Sequence, residues 1–362
     1  MKSRIILFPY WLALKARHSM YDHSFIKKET KIEGISTISI GNVVAGGTGK
    51  TPHTEMLLRM LAGHPEFRNL QTAVLSRGYK RSSKGFQEVA ADSPASFAGD
   101  EPLQIKKKFP GAVIAVDKNR VEACRRLKDK GMKLVILDDS MQYRKLRPDF
   151  SIALTSYSTD LSKEELLPMG RLRDLPQRMD TADIIIVSKC PSDINHDEME
   201  AHLKTLGLAD FNTADFTAVN RKGKKQTVLF TDIKYLPFQT VFPEGEVRYD
   251  YAKTAIMFSG IANDNQMRRY LADKYRIVKR IAFPDHHSYS KADIRKVAAA
   301  AKDHPTAAIF TTEKDAQRLL DCKKIPLDLK RKIQQVPIEV NFTSEEQAAI
   351  FMDRLSAALL GK

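Results

Sequence analysis

Cysteine is scarce in this 362-residue sequence, and a hydrophobic run long enough to span a membrane is missing. The three cysteines, Cys124, Cys190 and Cys322, lie far apart and lack the spacing of metal ligands. An odd number without regular spacing excludes a disulfide framework, so we expect small buried side chains in a reducing compartment. The apolar run at residues 5–14 is too short for a bilayer, which requires about 20 residues.

Negative charge is also in short supply. The sequence has 59 Lys and Arg residues against 44 Asp and Glu residues, which gives a formal net charge of +15. We therefore expect an anionic partner, and nucleic acid, anionic lipid and a phosphorylated substrate all meet this requirement. The length suffices for two domains, and a hydrophobic content of 43% supports well-packed cores.

The N-terminal segment combines cations with aromatic side chains but lacks the small-residue cleavage site of a signal peptide. Its apolar run contains Phe8, Tyr10 and Trp11, the last being the only tryptophan of the chain. Cations flank this run on both sides, namely Lys2, Arg4, Lys15 and Arg17. We predict a helix that lies in a membrane interface, and a helix docked on the protein core is the alternative.

The stretch GNVVAGGTGKT at residues 41–51 lacks the first glycine of the phosphate-binding motif G-x-x-x-x-G-K-[ST], because Val44 takes its place. An alternating apolar strand precedes this stretch and helical apolar spacing follows it, which is the setting that the motif requires. Its glycines allow backbone N–H groups to surround phosphate oxygens at a helix N-terminus. We predict a nucleotide site, with a chance glycine-rich turn as the alternative. The residues of this predicted site are Val44, Ala45, Gly46, Gly47, Thr48, Gly49, Lys50 and Thr51.

Asp138 and Asp139 end the apolar run KLVILDD, which reads as a buried strand. A carboxylate at this position, beside a phosphate-binding loop, is typical of an Mg²⁺ site, whereas a single Asp after a strand is commonly a helix cap. In such a site Lys50 reaches the β- and γ-phosphates and the Thr51 hydroxyl binds the metal. The pair of acids therefore favours a metal site.

Three further segments carry candidate groups. Asp100 and Glu101 stand where a helix begins, so they are either favourable charges at its N-terminus or include a general base. Arg173 lies in a Pro-bounded loop that is either solvated or binds an anionic substrate. His286 and His287 follow the apolar run YRIVKRIAF, and either can accept a proton. No further metal ligand that would indicate a zinc site is evident in the sequence.

Apolar β-rich runs alternate with helical stretches from residue 36 to about residue 215. Such runs indicate parallel strands that helices cover on both faces. A predicted hairpin around Lys222-Gly223-Lys224 follows, and then a second α/β pattern. We predict an α/β fold made of an N-terminal interface helix at residues 1–30, a P-loop domain of α/β/α layers at 31–215, a strand-rich linker at 216–250 and a smaller α/β domain at 251–362.

Signatures of competing P-loop classes are absent from the sequence. Guanine-specific GTPases require [NT]-K-x-D, and the nearest stretch, Ser188-Lys189-Cys190-Pro191, lacks both Asn and Asp. ATPases of the partitioning type carry a second lysine before the glycine pair, where this sequence has Ala45. A basic P-loop ATPase that acts as a switch at a membrane or on nucleic acid remains the alternative, although no aromatic-studded basic stripe is evident.

Eight segments occur in the order that is found in tetraacyldisaccharide 4'-kinases. They are GNVVAGGTGKTP, SRGY, GDEP, DDSMQY, LPMGRLRD, SGIA, DHH and TEKDA. From about residue 36 to residue 320 the sequence therefore resembles this family of the lipid A pathway, and its basic, aromatic N-terminus is similar as well. The family also lacks the first glycine of the loop, which accounts for Val44. The resemblance implies two α/β/α domains joined by a two-stranded linker.

The resemblance implies transfer of the ATP γ-phosphate to the 4'-hydroxyl of a tetraacyl glucosamine disaccharide 1-phosphate, which forms lipid IVA, with Mg²⁺ as cofactor. It places the protein at the cytoplasmic face of the bacterial inner membrane. We further expect a monomer that contacts the anionic membrane surface and binds no nucleic acid.

Site roles follow from the matching motifs. The resemblance makes Asp100 the general base on the 4'-hydroxyl and His286 the group that orients it. Lys50 and Arg173 neutralise the transferred phosphoryl group, and the expected metal-associated residues are Thr51, Asp138, Asp139 and Asp174. An Asp–His pair shared between the two predicted domains would make catalysis depend on domain closure.

Two motifs depart from the family pattern. The family's D-D-G-[FL]-Q-H segment has Ser140, Met141 and Tyr143 in place of glycine, the apolar residue and histidine. We expect Tyr143 to keep a hydrogen bond there and activity to survive, because the base, the P-loop and the Asp pair are intact. Asp174 replaces a glutamate and is one methylene shorter, so we expect its metal contact to pass through water.

Overall fold

The computed structural model describes residues 2–22, 29–322 and 324–361, and it divides into two compact α/β units. Unit 1 comprises Met1–Arg77, Ala112–Ile233 and Val340–Lys362, and unit 2 comprises Gly78–Gly111 and Lys234–Glu339. Of the predicted N-terminal segment, Met1 and residues 23–28 lie outside the described residues. No helix in the described parts of the chain combines the length and hydrophobicity that a bilayer span requires.

The elements are numbered in chain order. The strands are β1 Ser36–Asn42, β2 Thr72–Ser76, β3 Gln87–Glu88, β4 Val113–Val116, β5 Leu134–Asp138, β6 Phe150–Ser156, β7 Ile184–Ser188, β8 Ala209–Asn212, β9 Thr217–Val219, β10 Lys225–Tyr235, β11 Gln239–Thr240, β12 Thr254–Ser259, β13 Arg276–Ala282, β14 Ala308–Thr312, β15 Ile333–Val336 and β16 Ile338–Phe342. The helices are α1 Lys2–Asp22, α2 Lys50–Gly63, α3 Ala95–Ala98, α4 Asp100–Lys108, α5 Arg120–Asp129, α6 His196–Thr205, α7 Asn265–Ala272, α8 Lys291–Asp303, α9 Glu313–Leu320, α10 Leu327–Lys332 and α11 Glu345–Leu360. Short 3₁₀ segments span Pro176–Thr181 and Val247–Tyr251.

The sheet of unit 1 runs in the order β4-β2-β5-β1-β6-β7-β10-β9-β8, and β16 also pairs with β10. The pairs from β4 to β10 are parallel, and the hairpin of β9 and β10 is antiparallel, as the turn around Gly223 predicts. All five residues of β5 are buried, which matches its continuous apolar run. The strand order reverses at β1, between β5 and β6, so the carboxyl end of β1 is a topological switch point where ligands bind in such sheets.

The sheet of unit 2 runs in the order β11-β15-β14-β12-β13, and its pairs are parallel except for β11 with β15. Successive residues of β12 point to opposite faces. Ile256 and Phe258 pack with Val297 of α8 and Leu319 of α9, whereas Met257 packs with Leu271 of α7. Helices therefore cover both faces of this smaller sheet.

The division into units differs from the predicted bounds at three places. The predicted linker at 216–250 is divided between unit 1, which runs to Ile233, and unit 2, which continues from Lys234. Residues 78–111 group with unit 2, and α4 and α9 carry the reason: Glu101 pairs with Lys314, and Lys108 lies 2.6 Å from Glu313. Residues 340–362 group with unit 1, where the ring of Phe351 packs against β6. Both groupings join segments that are far apart in sequence, so local patterns could not reveal them.

The three cysteines are free thiols in the described structure. Cys124 and Cys190 are buried as expected, and burial raises the pKa of each thiol to about 12. The expectation of a buried side chain is wrong for Cys322, which is only half-buried.

Candidate active site

The phosphate-binding loop connects β1 to α2 in unit 1. Gly46, Gly47 and Gly49 have φ angles of +72°, +70° and +82°. Glycine occupies this left-handed region without the steric cost that a Cβ brings, and successive N–H groups then form a concave anion site. Space around Gly47 is open, since no atom within 4 Å would meet a Cβ there. The loop therefore has the conformation that its sequence predicts.

Side chains from four elements hold this loop in place. Asn42 donates from Nδ2 to Thr48 Oγ1 over 2.5 Å, and Ser188 at the end of β7 donates to the Thr48 carbonyl over 2.9 Å. His53 donates from Nδ1 to the Gly49 carbonyl over 2.7 Å, and its Nε2 lies 2.9 Å from Thr231 Oγ1. Burial lowers the pKa of His53 to about 4, which outweighs the hydrogen bond to Gly49. His53 is therefore a neutral ring that fixes the start of α2.

The loop that follows Pro168 is hydrogen bonded to the same backbone. Arg173 donates its N–H to the Val43 carbonyl over 2.9 Å, and Ala45 donates to the Arg171 carbonyl over 2.6 Å. This pairing brings the Arg173 guanidinium to Asn42 and Asp139. The loop is thus hydrogen bonded to the phosphate-binding loop and is not merely solvated, whereas its binding of an anionic substrate stays a prediction.

The two aspartates at the end of β5 have different surroundings. Asp138 is 1% exposed, and the Thr54 hydroxyl of α2 lies 3.5 Å from its Oδ1. Asp139 has a φ of +51°, accepts from Arg173 Nη1 over 2.9 Å and lies 3.8 Å from Lys50 Nζ. Burial raises the pKa of Asp139, but Lys50 and Arg173 outweigh it and lower the value to about 2. Lys50 and Arg173, the two cations predicted to neutralise the phosphoryl group, therefore both lie beside Asp139.

The residues around Thr51 fit a magnesium ion. The Thr51 hydroxyl is buried and has no hydrogen-bond partner among the described residues. Oxygen donors are the ligands that Mg²⁺ prefers, and a buried hydroxyl without a partner costs free energy unless a ligand satisfies it. Thr51 and the carboxylates of β5 form such a donor set.

Asp174 makes its described contacts elsewhere. Its Oδ1 lies 2.6 Å from Nε2 of His18 on α1 and accepts from the Leu175 N–H over 2.8 Å. The carboxylate is almost fully buried in this arrangement. The structure therefore joins this predicted metal residue to the N-terminal helix, and its role at a metal stays a prediction.

Helix α1 has a docked side and an exposed side. Near its C-terminal end Arg144 donates to Asp22 over 2.7 Å and stacks on Tyr21, with the guanidinium 4.7 Å from the ring centre. Phe8, Trp11 and Leu12 are 56%, 36% and 50% exposed. The docked contacts agree with the alternative of a helix packed on the protein core, and the membrane contact of the exposed aromatic side chains stays a prediction.

The residues of the DDSMQY segment are hydrogen bonded to neighbouring groups. Tyr143 donates its hydroxyl to Asn119 Oδ1 over 3.3 Å, which confirms the expected hydrogen bond, and Gln142 donates to the Asn42 carbonyl over 2.6 Å. Ser140 Oγ donates to the Leu137 carbonyl over 3.0 Å. The substituted residues therefore support the strand ends around the site.

In unit 2, four motifs that are distant in sequence meet around Asp100. His286 Nδ1 lies 3.2 Å from Asp100 Oδ2, and Arg318 Nε donates to the same oxygen over 3.0 Å. Arg318 also donates to the Gly260 carbonyl and to Asp315, whose other oxygen accepts from the Gly260 N–H. A Cβ on Gly260 would stand 3.0 Å from Asp315, so this position favours glycine.

The expected Asp–His pair forms, but not between two domains. Asp100 and His286 both belong to unit 2, because residues 78–111 group with that unit. The predicted domains placed these two residues apart, whereas the structure groups them in one compact unit. Asp100 is 8% exposed, and its charge state follows from its neighbours: burial raises the pKa of this carboxyl, but His286, Arg318 and Lys314 outweigh burial and hold the pKa well below its usual range.

Asp100 and His286 line a cavity of about 530 Å³ within unit 2. Tyr79 of the SRGY segment also lines it, with its ring edge-on to His286 at 5.1 Å between centres. Cations on its wall include Lys80, Lys291 and Lys324. A cavity with a carboxylate–imidazole pair and lysines on its wall suits an anionic compound that carries a reactive hydroxyl.

Residues 4–356 match a family model described as Tetraacyldisaccharide-1-P 4'-kinase. The chain belongs to this family. Three curated relatives carry the name tetraacyldisaccharide 4'-kinase. The relative from Bacteroides fragilis is 35% identical over 350 residues, covering 93% of this chain and 88% of its own. Those from Porphyromonas gingivalis and Flavobacterium johnsoniae are each 32% identical, covering 98% and 95% of this chain and 95% and 94% of their own.

A solved structure has the same fold. The crystal structure of the "apo" form of LpxK from Aquifex aeolicus in complex with ATP matches with a TM-score of 0.68 and 24% sequence identity. The match covers 97% of this chain and 99% of the other. It confirms the predicted α/β fold, and family membership confirms the predicted kinase rather than the ATPase switch.

Sequence reasoning missed several side chains that shape the sites of this kinase family member. Arg120 of α5 donates from Nη2 to the carbonyls of Asp138 and Asp139 over 2.7 and 2.8 Å. Arg318 supports Asp100, and His18 contacts Asp174. Arg318 stands three residues after the Asp of TEKDA, a helical spacing that could have been noticed, whereas the partners of Arg120 and His18 are set by the tertiary fold.

Proposed function

We propose that this protein transfers the γ-phosphate of ATP to the 4'-hydroxyl of a tetraacyl glucosamine disaccharide 1-phosphate. The observation that carries the proposal is the presence of two complementary sites in one chain of this family. Unit 1 has a loop shaped for phosphates, and unit 2 has a carboxylate–imidazole pair in a cavity. A phosphate donor and a hydroxyl acceptor need these two kinds of site.

In unit 1 the chain's own groups bind and orient the donor. The N–H groups of the loop and the Lys50 ammonium hold the β- and γ-phosphates, and Arg173 adds positive charge beside Asp139. Thr51, Asp138 and Asp139 would hold Mg²⁺, which supplies charge neutralisation on the phosphates when it is bound.

In unit 2 Asp100 acts as the general base. As the bond from the 4'-oxygen to the γ-phosphorus forms, the bond from that phosphorus to the β–γ bridging oxygen breaks and ADP leaves with the electron pair. The hydroxyl proton passes to the Asp100 carboxylate, which His286 orients from 3.2 Å. A carboxylate with a low pKa is a weak base, so the proton transfers late, after most of the phosphoryl transfer.

The membrane contact is assigned to α1. Its exposed Phe8 and Trp11 stack at 5.8 Å, and Lys15 lies 4.8 Å from the Trp11 ring centre. Aromatic rings flanked by cations suit the headgroup region of an anionic bilayer. We propose that the protein binds the cytoplasmic face of the inner membrane through this helix as a monomer, where its lipid acceptor is found.

The test is transfer of labelled γ-phosphate from ATP to tetraacyldisaccharide 1-phosphate in detergent micelles, with Asp100→Ala and Lys50→Ala run alongside. We expect transfer by the parent protein and losses of at least about 10²-fold in each variant. Undiminished transfer by Asp100→Ala would remove Asp100 from the role of base. Steady ATP hydrolysis without any transfer by the parent protein would contradict the kinase and favour the switch.

A further inference from the structure

Arg318 donates several hydrogen bonds to Asp100 and to the groups around it. It lies on α9, and both its Nε and its Nη2 donate to Asp100 Oδ2. Its Nη1 donates to the Gly260 carbonyl over 2.9 Å and to Asp315 Oδ1 over 2.8 Å. The side chains of Arg318 and Asp100 are 8% and 9% exposed, so little water reaches the pair. The hydrogen bonds of Arg318 hold its geometry.

The contacts at Asp100 are one-sided. His286 Nδ1 and both nitrogens of Arg318 meet at Oδ2, and none of the described contacts is to Oδ1. A carboxylate held firmly by one oxygen presents the other oxygen in a set direction. Since Asp100 lines the cavity, Oδ1 is the oxygen left to accept a proton there.

The surrounding charges reinforce this arrangement. Glu101, the neighbour of Asp100 on α4, is paired with Lys314 of α9, and Asp315 is paired with Arg318. Asp285 lies 3.9 Å from Nε2 of His286. Of the charged groups that face Asp100 from α9 and from the turn before α8, Arg318, Lys314 and His286 are those that lower its pKa, while burial raises it.

We propose that Arg318 is the positioning residue of the base: it grips one oxygen of the Asp100 carboxylate together with His286, so that the other oxygen takes the acceptor's proton. This inference rests on the proposed function and extends it, because it assigns the orientation of the base to a second side chain. Arg318 also lines the cavity, and in this role it acts through Asp100. It keeps the carboxylate ionised and aimed.

The experiment compares Arg318→Met, Arg318→Lys and the parent protein in the micellar transfer assay across pH. In Arg318→Met we expect kcat to fall roughly 10²-fold, because a misplaced base is a poor one. The acid limb of the kcat/KM profile should move up by about 1 to 3 pH units, because an adjacent cation lowers a carboxyl pKa by that amount. Arg318→Lys keeps the positive charge but loses the two hydrogen bonds that the guanidinium donates to Asp100. Its acid limb should therefore stay near that of the parent protein, while its kcat should lie between those of Arg318→Met and the parent.

A second measurement follows the carboxyl directly. The ¹³C signal of Asp100, labelled at the side-chain carboxyl and assigned with Asp100→Asn, should titrate at higher pH in Arg318→Met than in the parent protein. The matched control is Arg280→Met, which removes an ion pair with the buried Asp264 in the same unit, outside the cavity. Arg280→Met should leave kcat, the acid limb and the Asp100 signal unchanged.

Each outcome decides the matter. A fall in kcat with an unmoved acid limb and an unmoved Asp100 signal would show a merely structural role, and so would equal losses in Arg318→Met and Arg280→Met. A shifted signal with parental kcat would leave Arg318 no part in positioning. Absence of transfer in the parent protein would instead contradict the proposed function, and the role of Arg318 in it would fall as well.

Discussion

Single side chains hold the backbone of the phosphate loop and of the aspartate pair. His53 bonds to the Gly49 carbonyl, Asn42 bonds to Thr48, and Arg120 bonds to the two carbonyls at the end of β5. Each is buried, so replacing it leaves a carbonyl or, for Asn42, the Thr48 hydroxyl without its partner. Variants at these positions should therefore affect stability and nucleotide binding together.

His53 makes the stability depend on pH. Its pKa is about 4 in the folded protein against 6.5 in an unfolded chain, so the unfolded state binds more protons between these values. Stability should be fully present above about pH 6.5 and be lost as the pH falls towards 4, by roughly 3 kcal/mol from this residue. Urea unfolding at a series of pH values measures this slope.

The slope should flatten in His53→Gln. Thr231→Val is the matched control, because it removes the partner of Nε2 but leaves the titrating ring in place. A His53→Gln protein with the parental slope between pH 4 and 6.5 would contradict the assignment.

Thr51→Val separates metal binding from folding. The Thr51 hydroxyl has no hydrogen-bond partner in the described part of the chain, so its removal should not lower the free energy of unfolding. The Mg²⁺ concentration required for half-maximal transfer should rise about tenfold, because one oxygen ligand is lost. Thr311→Val removes a similarly buried and unpartnered hydroxyl in unit 2 and should leave the Mg²⁺ requirement as it is.

The candidate site was largely predictable where a motif is local. Lys50, Thr51 and the aspartates of β5 follow from strand, loop and helix in sequence order. The contact of Asp100 with His286 followed only from the family resemblance, since 186 positions separate the two residues. Arg120 was not predictable at all, because its partners are carbonyl groups, and these leave no mark in a sequence.

At the scale of elements, α1 is a helix with two different faces. Leu7 and Leu14, seven residues apart and so on one face, are buried, whereas Phe8, Trp11 and Leu12 face outward. The sequence pattern favoured a membrane-interface helix and left docking on the core as the alternative, and the docking contact with Arg144 comes from a distant loop.

Trp11 is the chain's only tryptophan and therefore reports on this helix by itself. On vesicles that contain phosphatidylglycerol its fluorescence should shift to the blue, and added salt should weaken the binding because the attraction is partly electrostatic. The double variant Phe8→Ser, Leu12→Ser should lose most of this binding. Leu327→Ser changes a similarly exposed leucine in unit 2 and should bind as the parent protein does.

An unchanged Trp11 spectrum at saturating vesicle concentrations would contradict a membrane role for α1. Binding that survives in the double variant would place the lipid contact elsewhere on the protein.

At the scale of the whole molecule, the fold consists of two α/β units that are built from interleaved segments. The α/β class was readable from alternating apolar runs, because each run is local. The unit membership of residues 78–111 and 340–362 was not, because it rests on ion pairs and ring contacts between distant segments.

A substitution in the core of one unit should destabilise that unit and leave the other unchanged. Phe351 and Phe258 are each at most 1% exposed, in unit 1 and unit 2 respectively, and Phe→Ala in a core costs about 3–5 kcal/mol. Phe351→Ala should speed amide hydrogen exchange in β6 and α11, and Phe258→Ala should speed it in β12 and β14. Leu360→Ala, at a largely exposed position of α11, should change neither. Identical exchange patterns in the two phenylalanine variants would contradict the division.

The place of α11 in unit 1 has a consequence for the way a ribosome delivers this chain. Unit 2 has all its residues once Glu339 has been synthesised, whereas the sheet of unit 1 still lacks the cover that Phe351 gives to β6. Domains usually complete in order from the N-terminus. Here the unit that starts first is finished last. A nascent chain therefore exposes the apolar surface of β6 while residues 234–339 are synthesised, a period in which chaperone binding is most useful.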